Sequence, residues 1–388
     1  MDSRTHVLTH LRTGIAALSL FCAACGGTGI FGPIGDKVAN PLSVAVDSVN
    51  GRAYVVNSNN KHLYTEGSLH VVNIATPTSP AFIRSVTIEN FGAEPVLDAA
   101  RRRVYVPTRR SSDDTATTDH IVRIDVDESS ANFMVTTRLD AAKDPFGVGL
   151  RAARDLLLVG TRASALNFYD IGQASPPMQQ LDLLASLSDG SKLTRADIAG
   201  VTVNGARAVL SRVNGGLLVV NLDELSASGV NPIDYYITGL GGPRGIANDG
   251  TVYYVVDVET AADGTENPVL QIVNVGALAA DTANVTTTVR DLSTHNLQLA
   301  VITVGKDPQQ VVVGMAEGFV SNMGADTVTV FSRATRAKVT DISVGDEPFG
   351  LALYSPGGVD THLLVCNLQS NTVSIVDLGT RSVVATYR

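Results

Sequence analysis

The sequence predicts an all-β fold: a seven-bladed β-propeller with four antiparallel strands in each blade. Three observations lead there. The stretch Gly345–Arg388 holds four apolar runs, Leu351–Tyr354, Leu363–Cys366, Val373–Val376 and Val383–Tyr387, separated by Gly, Pro, Asp, Asn or Ser. Runs this short, rich in Val, Ile and Leu and bounded by turn formers, read as buried strands of a meander rather than helices. The ending of the third run, a small polar residue followed by one more apolar residue, recurs at Val71–Ile74, Arg123–Val126, Phe168–Ile171, Val219–Leu222 and Ile272–Val275, and more weakly at Val330–Ser332. With Ile375–Leu378 that makes seven units, spaced roughly 45–58 residues apart, the period of propeller blades with loop insertions. The second run counts independently to seven: Tyr54–Asn57, Tyr105–Thr108, Leu158–Thr161, Ala208–Ser211, Tyr254–Asp257, Phe319–Asn322 and Leu363–Asn367.

Taken in order, the chain begins with Arg4 and Arg12 ahead of an apolar run, Ile15–Ala24. That run is too short to span a bilayer and suits the h-region of a secretory signal. It leads into Cys22-Ala23-Ala24-Cys25-Gly26-Gly27, which resembles a bacterial lipoprotein signal whose cysteine is lipidated after cleavage, with Cys22 where Leu is usual. The expectation is a signal peptide over 1–24, lipidation at Cys25, a Gly-rich tether over 25–38 and the propeller over 39–388. Ordinary signal cleavage, leaving a soluble exported protein, is the alternative. Cys22 and Cys25 do not read as a redox or haem motif, because no histidine follows Cys25.

Within the propeller, six of the seven units turn inward through a proline: Pro41, Pro95, Pro145, Pro243, Pro308 or Pro348. Proline fixes the backbone there. The fourth unit starts at Ile198–Val203 without one. The polar residues that close the second and third runs are expected to be structural, their side chains bonding the backbone two residues on to start a turn. The apolar runs are continuous rather than alternating because stacked blades cover the inner strands on both faces. The first inner strand falls near Leu42–Val46 and the last strand at Val383–Tyr387. Whole blades at both ends predict a ring that closes without a shared sheet, unless Gly35–Val38 adds to the final edge.

A second strand ending V-x-N, a third ending V-D and a leading G-x-x-P resemble the YVTN-type β-propeller repeat family. The leading segments are Ala93–Pro95, Lys143–Pro145, Gly241–Pro243, Gly305–Pro308 and Gly345–Pro348, with Asn40–Pro41 a shortened form. The resemblance covers about residues 39–388, is clearest in the last two units and is loosest in the fourth. It implies the propeller fold and little chemistry, because such folds host many functions.

Composition narrows the partners. A net charge of −9 spread along the chain argues against nucleic acid. The basic clusters Arg101–Arg103 and Arg109–Arg110 flank one strand, at opposite ends of a blade, and read as solvated turns. The chain has no Trp, which removes the WD signature and the tryptophan docking motifs of quinoprotein propellers. Cys366 reads as a small buried hydrophobe. His6, His10, His62, His70, His120, His295 and His362 show no metal-ligand spacing. The acidic stretches with Asp113, Asp114 and Asp119, and with Asp257, Asp263 and Glu266, miss the alternating pattern of a calcium loop. There is no nucleophile elbow, P-loop or dinucleotide fingerprint, so no cofactor, metal or catalytic residue is assigned.

What remains is the geometry of the inward turns, which gather round the central channel on one face. They carry Glu94, Lys143, Asp144, Arg244, Lys306, Asp307, Asp346 and Glu347, with Phe146, Gln309 and Phe349 just after the prolines. Arg244, Lys143, Lys306, Glu94 and Asp346 are the candidate ligand-binding residues, Arg244 foremost because a guanidinium grips a carboxylate or phosphate with two bonds. The expected role is an exported outer-membrane lipoprotein, facing periplasm or cell surface, that binds an envelope protein, a glycan or a small anionic ligand and touches membrane only through its lipid. The alternative is a hydrolase of the lactonase kind. That reading needs acids and bases from several blades to converge, and the inward turns supply no histidine.

Overall fold

The computed structural model of the chain describes residues 32, 34–109, 119–261, 263–279 and 286–388. The signal segment, Cys22, Cys25, most of the tether, Arg110, Asp113 and Asp114 lie outside the described residues. From Pro41 to Tyr387 the chain forms seven antiparallel sheets in sequence order, each built on a four-strand meander. Blade 1 comprises Pro41–Asp47, Arg52–Asn57, Gly67–Asn73 and Ala81–Ile88. Blade 7 comprises Pro348–Tyr354, His362–Asn367, Thr372–Asp377 and Ser382–Tyr387, matching the apolar runs of the last unit. The innermost strands of blades 2 and 5 are short, Val96–Asp98 and Ile246–Asn248, and blade 4 starts at Ile198–Asn204 despite lacking a proline.

The core is divided among seven seams, one between each pair of neighbouring blades. Second and third strands are buried on both faces, and the outermost strands are largely exposed except in blade 4, where Ile233–Thr238 is mostly buried. Alternate residues of one strand serve opposite seams. Tyr54 and Val56 pack with Val104 and Val122 of blade 2, whereas Ala53 and Val55 pack with Leu364 and Ile375 of blade 7. The aromatic that begins several second strands is among the largest buried side chains: Tyr54, Tyr105, Tyr254 and Phe319 are all essentially inaccessible.

Among the described residues blades 1 and 7 share no strand, so the ring closes without a backbone ladder between them. Gly35–Val38 forms a turn rather than an edge strand, and Val38 joins the closing cluster with Cys366, Ile375 and Tyr387. Near the axis the blades meet at glycines. In Pro145-Phe146-Gly147, Pro243-Arg244-Gly245 and Pro348-Phe349-Gly350 the third residue abuts the next blade's backbone: Gly147 against Gly200, Gly245 against Gln310, Gly350 against Ser43. A side chain on Gly350 would place its Cβ 2.4 Å from the Ser43 Cα.

The polar residues that close strands divide into two kinds. Those of third strands behave as expected: Asn73 accepts from Ala75 N (3.0 Å), Asp125 from Asp127 N (3.1 Å) and Asp170 from Gly172 N (3.1 Å). Thr161, closing a second strand, does the same for Ala163 N (3.2 Å), but the Asn and Asp residues that close second strands reach past their own turn. Buried Asn322 accepts from Gly305 N (3.0 Å) and donates to Thr329 Oγ1 (2.9 Å), and Asn367 accepts from Gly345 N (3.2 Å) and donates to Ser374 Oγ (2.9 Å). Asn57 does the same for Ala39 N and Ser68, and Asp257 accepts from Gly241 N and Gly242 N. In blades 1, 5, 6 and 7 these side chains pin the leading loop to the middle strands, because that loop crosses the end of the sheet with unpaired N–H groups.

Blade 4 carries a fifth strand that the sequence reading did not foresee. Thr288–Asp291, between the third and fourth strands of blade 5, pairs in parallel with Ile233–Thr238 at the outer edge. Such a cover protects an edge whose backbone would otherwise be unpaired. Among the described residues no helix is long and apolar enough to cross a membrane.

Candidate functional site at the channel mouth

All seven blades contribute to one cavity of about 610 Å³ at one end of the central channel. Its residues come from two repeated positions. The first is the residue after the leading proline, or its equivalent: Leu42, Phe146, Ala199, Arg244, Gln309 and Phe349. The second is the residue after the second strand, which gives Ser58, Arg109, Arg162 and Met323. Phe91 and Glu94 enter from the leading loop of blade 2. Apart from these two, the residues at the repeated positions sit at the ends of strands whose neighbours are fixed by seam packing.

The leading turns are shaped by left-handed backbone just before the proline. Asn40, Asp144, Asp307 and Glu347 have φ between 49° and 56°, a region Asn and Asp tolerate better than most residues. In two of these turns the carboxylate reaches an arginine of the cavity. Asp144 Oδ1 lies 2.7 Å from Arg109 Nε. Asp307 pairs with Arg244 Nη1, which also donates to Pro308 O at 3.1 Å. Gln309 Nε2 donates to the same Asp307 carboxylate at 3.0 Å.

Three arginines therefore face the cavity, from blades 2, 3 and 5. Arg109 lies 5.0 Å from the centre of the Phe91 ring, and Arg162 lies 4.5 Å from that of Phe146. Burial, then the neighbouring charge of Arg109, pulls the Arg162 guanidinium below its ordinary pKa. Burial pushes the Glu94 carboxyl up to about 7, partly offset by Gln310, whose Nε2 donates to Oε1 at 2.7 Å. Protein crowds Glu94 on all sides while channel water still reaches it in part. Gln310 belongs to blade 6, so its bond to blade 2 spans the channel; its own oxygen accepts from Leu351 N of blade 7, which fixes the amide's orientation.

Of the five candidate residues, Arg244 and Glu94 line the cavity, whereas Lys143, Lys306 and Asp346 are not among its lining residues. The Lys306 and Asp346 side chains are exposed, and their carbonyls accept from Gly324 N and Gln369 N. Asp307, Phe146, Gln309 and Phe349, also read from the turns, are in the wall. The sequence reading missed Arg162, and it placed Arg109 among solvated turns, whereas Arg109 stands in the cavity wall. Their shared offset was the available signal: each follows the closing residue of its second strand, Thr108 and Thr161, in adjacent units. Arg101 and Arg102 do lie at the other end of that strand, paired with Asp155 and Asp47 of neighbouring blades.

The other charged constellations serve architecture. Glu89 holds His120 Nδ1 at 2.8 Å and Arg138 Nε at 2.8 Å, outside the cavity. Asp249 accepts from Tyr254 and Arg333, whose contacts hold blades 5 and 6 together. Among the described residues no group of His, Cys, Asp and Glu is placed to hold a metal ion.

Fold and mouth together define a seven-bladed propeller with a cationic axial cavity. No family model matches the chain, and the comparison with curated proteins gives no match. Solved structures share the architecture. A chain of hydrazine synthase from Kuenenia stuttgartiensis superposes with a TM-score of 0.65 at 12% identity, over 91% of this chain and 98% of that one. A chain of a mitotic checkpoint complex superposes with a TM-score of 0.58 at 11% identity, over 87% of this chain and 90% of that one. At such identities the likeness is one of fold.

Proposed function

We propose that this chain is an exported, lipid-anchored propeller of the YVTN type that works as a binding module at the cell envelope, taking a small anionic ligand at the mouth of its central channel. The observation that carries the ligand reading is the convergence of Arg109, Arg162 and Arg244 on one cavity whose lining acids are Glu94 and Asp307. Its volume lies in the range of small-molecule sites, and its wall mixes aromatic rings with a few charged groups, as such sites do. The anchor and export rest on the charged start, the short apolar run and the small residues before Cys25. Replacing Cys25 with Ala should abolish acyl labelling and membrane fractionation; unchanged behaviour would refute the anchor.

The ligand reading is tested by calorimetric titration of the full chain with inorganic phosphate, citrate and benzoate. At least one should bind, and Arg244→Ala, which removes a positive charge and leaves the Asp307 carboxylate unmatched in the cavity, should weaken it about tenfold. The variant's thermal midpoint should fall by no more than a few degrees, because a half-exposed ion pair contributes about 1 kcal/mol. Binding that ignores Arg109, Arg162 and Arg244 alike, or no binding by any of the three anions, would sink the proposal. One observation favours the hydrolase reading instead: a carboxyl poised near neutrality, Glu94, opens on the cavity. Turnover of an aliphatic lactone that is lost in Glu94→Gln would establish it.

A further inference from the structure

The three arginines are not equivalent. Asp144 occupies Arg109, and Asp307 with the Pro308 carbonyl occupies Arg244. Arg162 makes no ion pair with any described residue; its backbone N–H donates to Asp144 O at 2.9 Å while its guanidinium lies over Phe146. Seated on a ring face, a guanidinium keeps its in-plane N–H donors free for a planar acceptor. Among the described residues Arg162 is thus the one cavity arginine without an ion pair, Asp144 and Asp197 acting on its charge from further off, and the other two are already matched.

The apolar part of the wall is aromatic. Phe146 stands beside Arg162, Phe91 beside Arg109, and Phe349 enters from blade 7. Phe91 is held in the left-handed region at φ 52° and set edge-on to His62, with ring centres 4.6 Å apart. Such strain in a bulky residue persists only where the surroundings impose it, so this ring is positioned rather than loose. Rings at several points of a rim favour a flat guest that can lie against a face.

We infer that the channel mouth selects ligands with a single acidic group on a flat, apolar body, an aromatic carboxylate or sulfonate in class, and that Arg162 is the residue that grips the acid. The inference rests on the anion-site reading above and narrows it. A second acidic group on the same guest would meet Asp307 or Glu94 instead of a free cation, so dianions of equal size bind more weakly. A neutral guest of the same shape keeps the ring contacts and loses the charged pair.

The full chain is titrated by calorimetry with 2-naphthoate, naphthalene-2,6-dicarboxylate, 2-naphthalenemethanol and citrate, each against wild type, Arg162→Gln, Arg244→Ala and Phe146→Leu. Naphthoate should bind wild type about tenfold or more tighter than the dicarboxylate or the alcohol, the size expected for one charge-assisted bond. Arg162→Gln should bring naphthoate down to the affinity of the alcohol without moving the thermal midpoint, since that side chain has no ion pair to lose. Phe146→Leu should weaken naphthoate and the alcohol alike. If the dicarboxylate or citrate binds tighter than naphthoate but still needs Arg162 or Arg244, the single-charge inference is overturned and the anion site stands. Should none of the four depend on either arginine, both readings fall.

Discussion

Burial lifts the Glu94 carboxyl to about 7, and the bond from Gln310 offsets only part of that shift. A folded pKa raised above the unfolded 4.5 means that the fold favours the protonated acid. The corresponding stability is complete below about 4.5 and is lost as pH rises through about 7. With channel water moderating the effect, ionised Glu94 costs the fold about 2 kcal/mol at pH 8. His70 works in the opposite sense: burial lowers it to about 4 from 6.5, so its stability is present above 6.5 and lost as pH falls towards 4. Between about pH 4.5 and 6.5 the two groups therefore oppose each other, and the thermal midpoint of the wild type should change little there. Glu94→Gln removes one of the pair, so the variant's midpoint should rise with pH across that interval as His70 loses its proton; a variant whose midpoint follows the wild type's from about pH 4.5 to 7 would refute the Glu94 assignment. The same ionisation adds negative charge to the cavity, so anion affinity in the wild type should fall across pH 7 and stay level in the variant.

A single Asn at the end of a second strand organises more backbone than its place in the repeat implies. Asn367 is fully buried, accepts from Gly345 N, and donates to Thr372 Oγ1 and Ser374 Oγ at 3.0 and 2.9 Å. Truncating it strands a backbone N–H and the Ser374 hydroxyl, Thr372 keeping its bond with Ser370 at 3.1 Å, which makes Asn367→Ala cost about 2–4 kcal/mol. Asp377, the polar residue closing the third strand of the same blade, accepts from Thr380 N at 2.7 Å in an outer turn, and Asp377→Ala should cost distinctly less. Chemical denaturation of the two variants checks the order; equal losses would mean that both residues only start turns. Here the limits of reading a repeat are physical. Period and polar ends locate every blade because a strand must stop where its turn begins. Which backbone a polar end bonds depends on a loop some twenty residues away, and sequence spacing does not carry that. The same applies to Thr288–Asp291, a half-buried tetrapeptide whose strand partner among the described residues is in another blade's meander. Arg244 and Glu94 were legible because they flank prolines that fix a turn. Arg109 and Arg162 end ordinary strands, and only the curvature of the ring turns those ends towards a common axis.

At the scale of the whole ring, closure is the point of least redundancy. The other seams join blades consecutive in the chain, whereas blades 1 and 7 are brought together from opposite ends of the sequence with no strand in common. Closing such a long loop costs chain entropy that only the packing at this seam returns. The seam holds Val44, Ala53 and Val55 against Leu364, Cys366 and Tyr387, and near the axis Gly350 lies directly on the backbone of Leu42 and Ser43. A methyl group there meets backbone on the facing strand, which rotamer changes cannot relieve, so Gly350→Ala should force blades 1 and 7 apart. Cys366 reports that opening, because it is wholly buried in the seam and burial pushes its thiol pKa up, keeping it unreactive while the ring is shut. In wild type, mass-spectrometric mapping after treatment with a maleimide should find the peptide containing Cys366 unlabelled on the timescale that modifies an exposed thiol. In Gly350→Ala the same peptide should label at least about tenfold faster, the factor that corresponds to roughly 1.4 kcal/mol of lost seam stability. Gly205→Ala is the control: it occupies a turn at φ 60° with no atom within 4 Å of its added Cβ, so it strains one loop and leaves the seam alone. Equal protection of Cys366 in Gly350→Ala and wild type would mean that the ring does not depend on this contact for its closure.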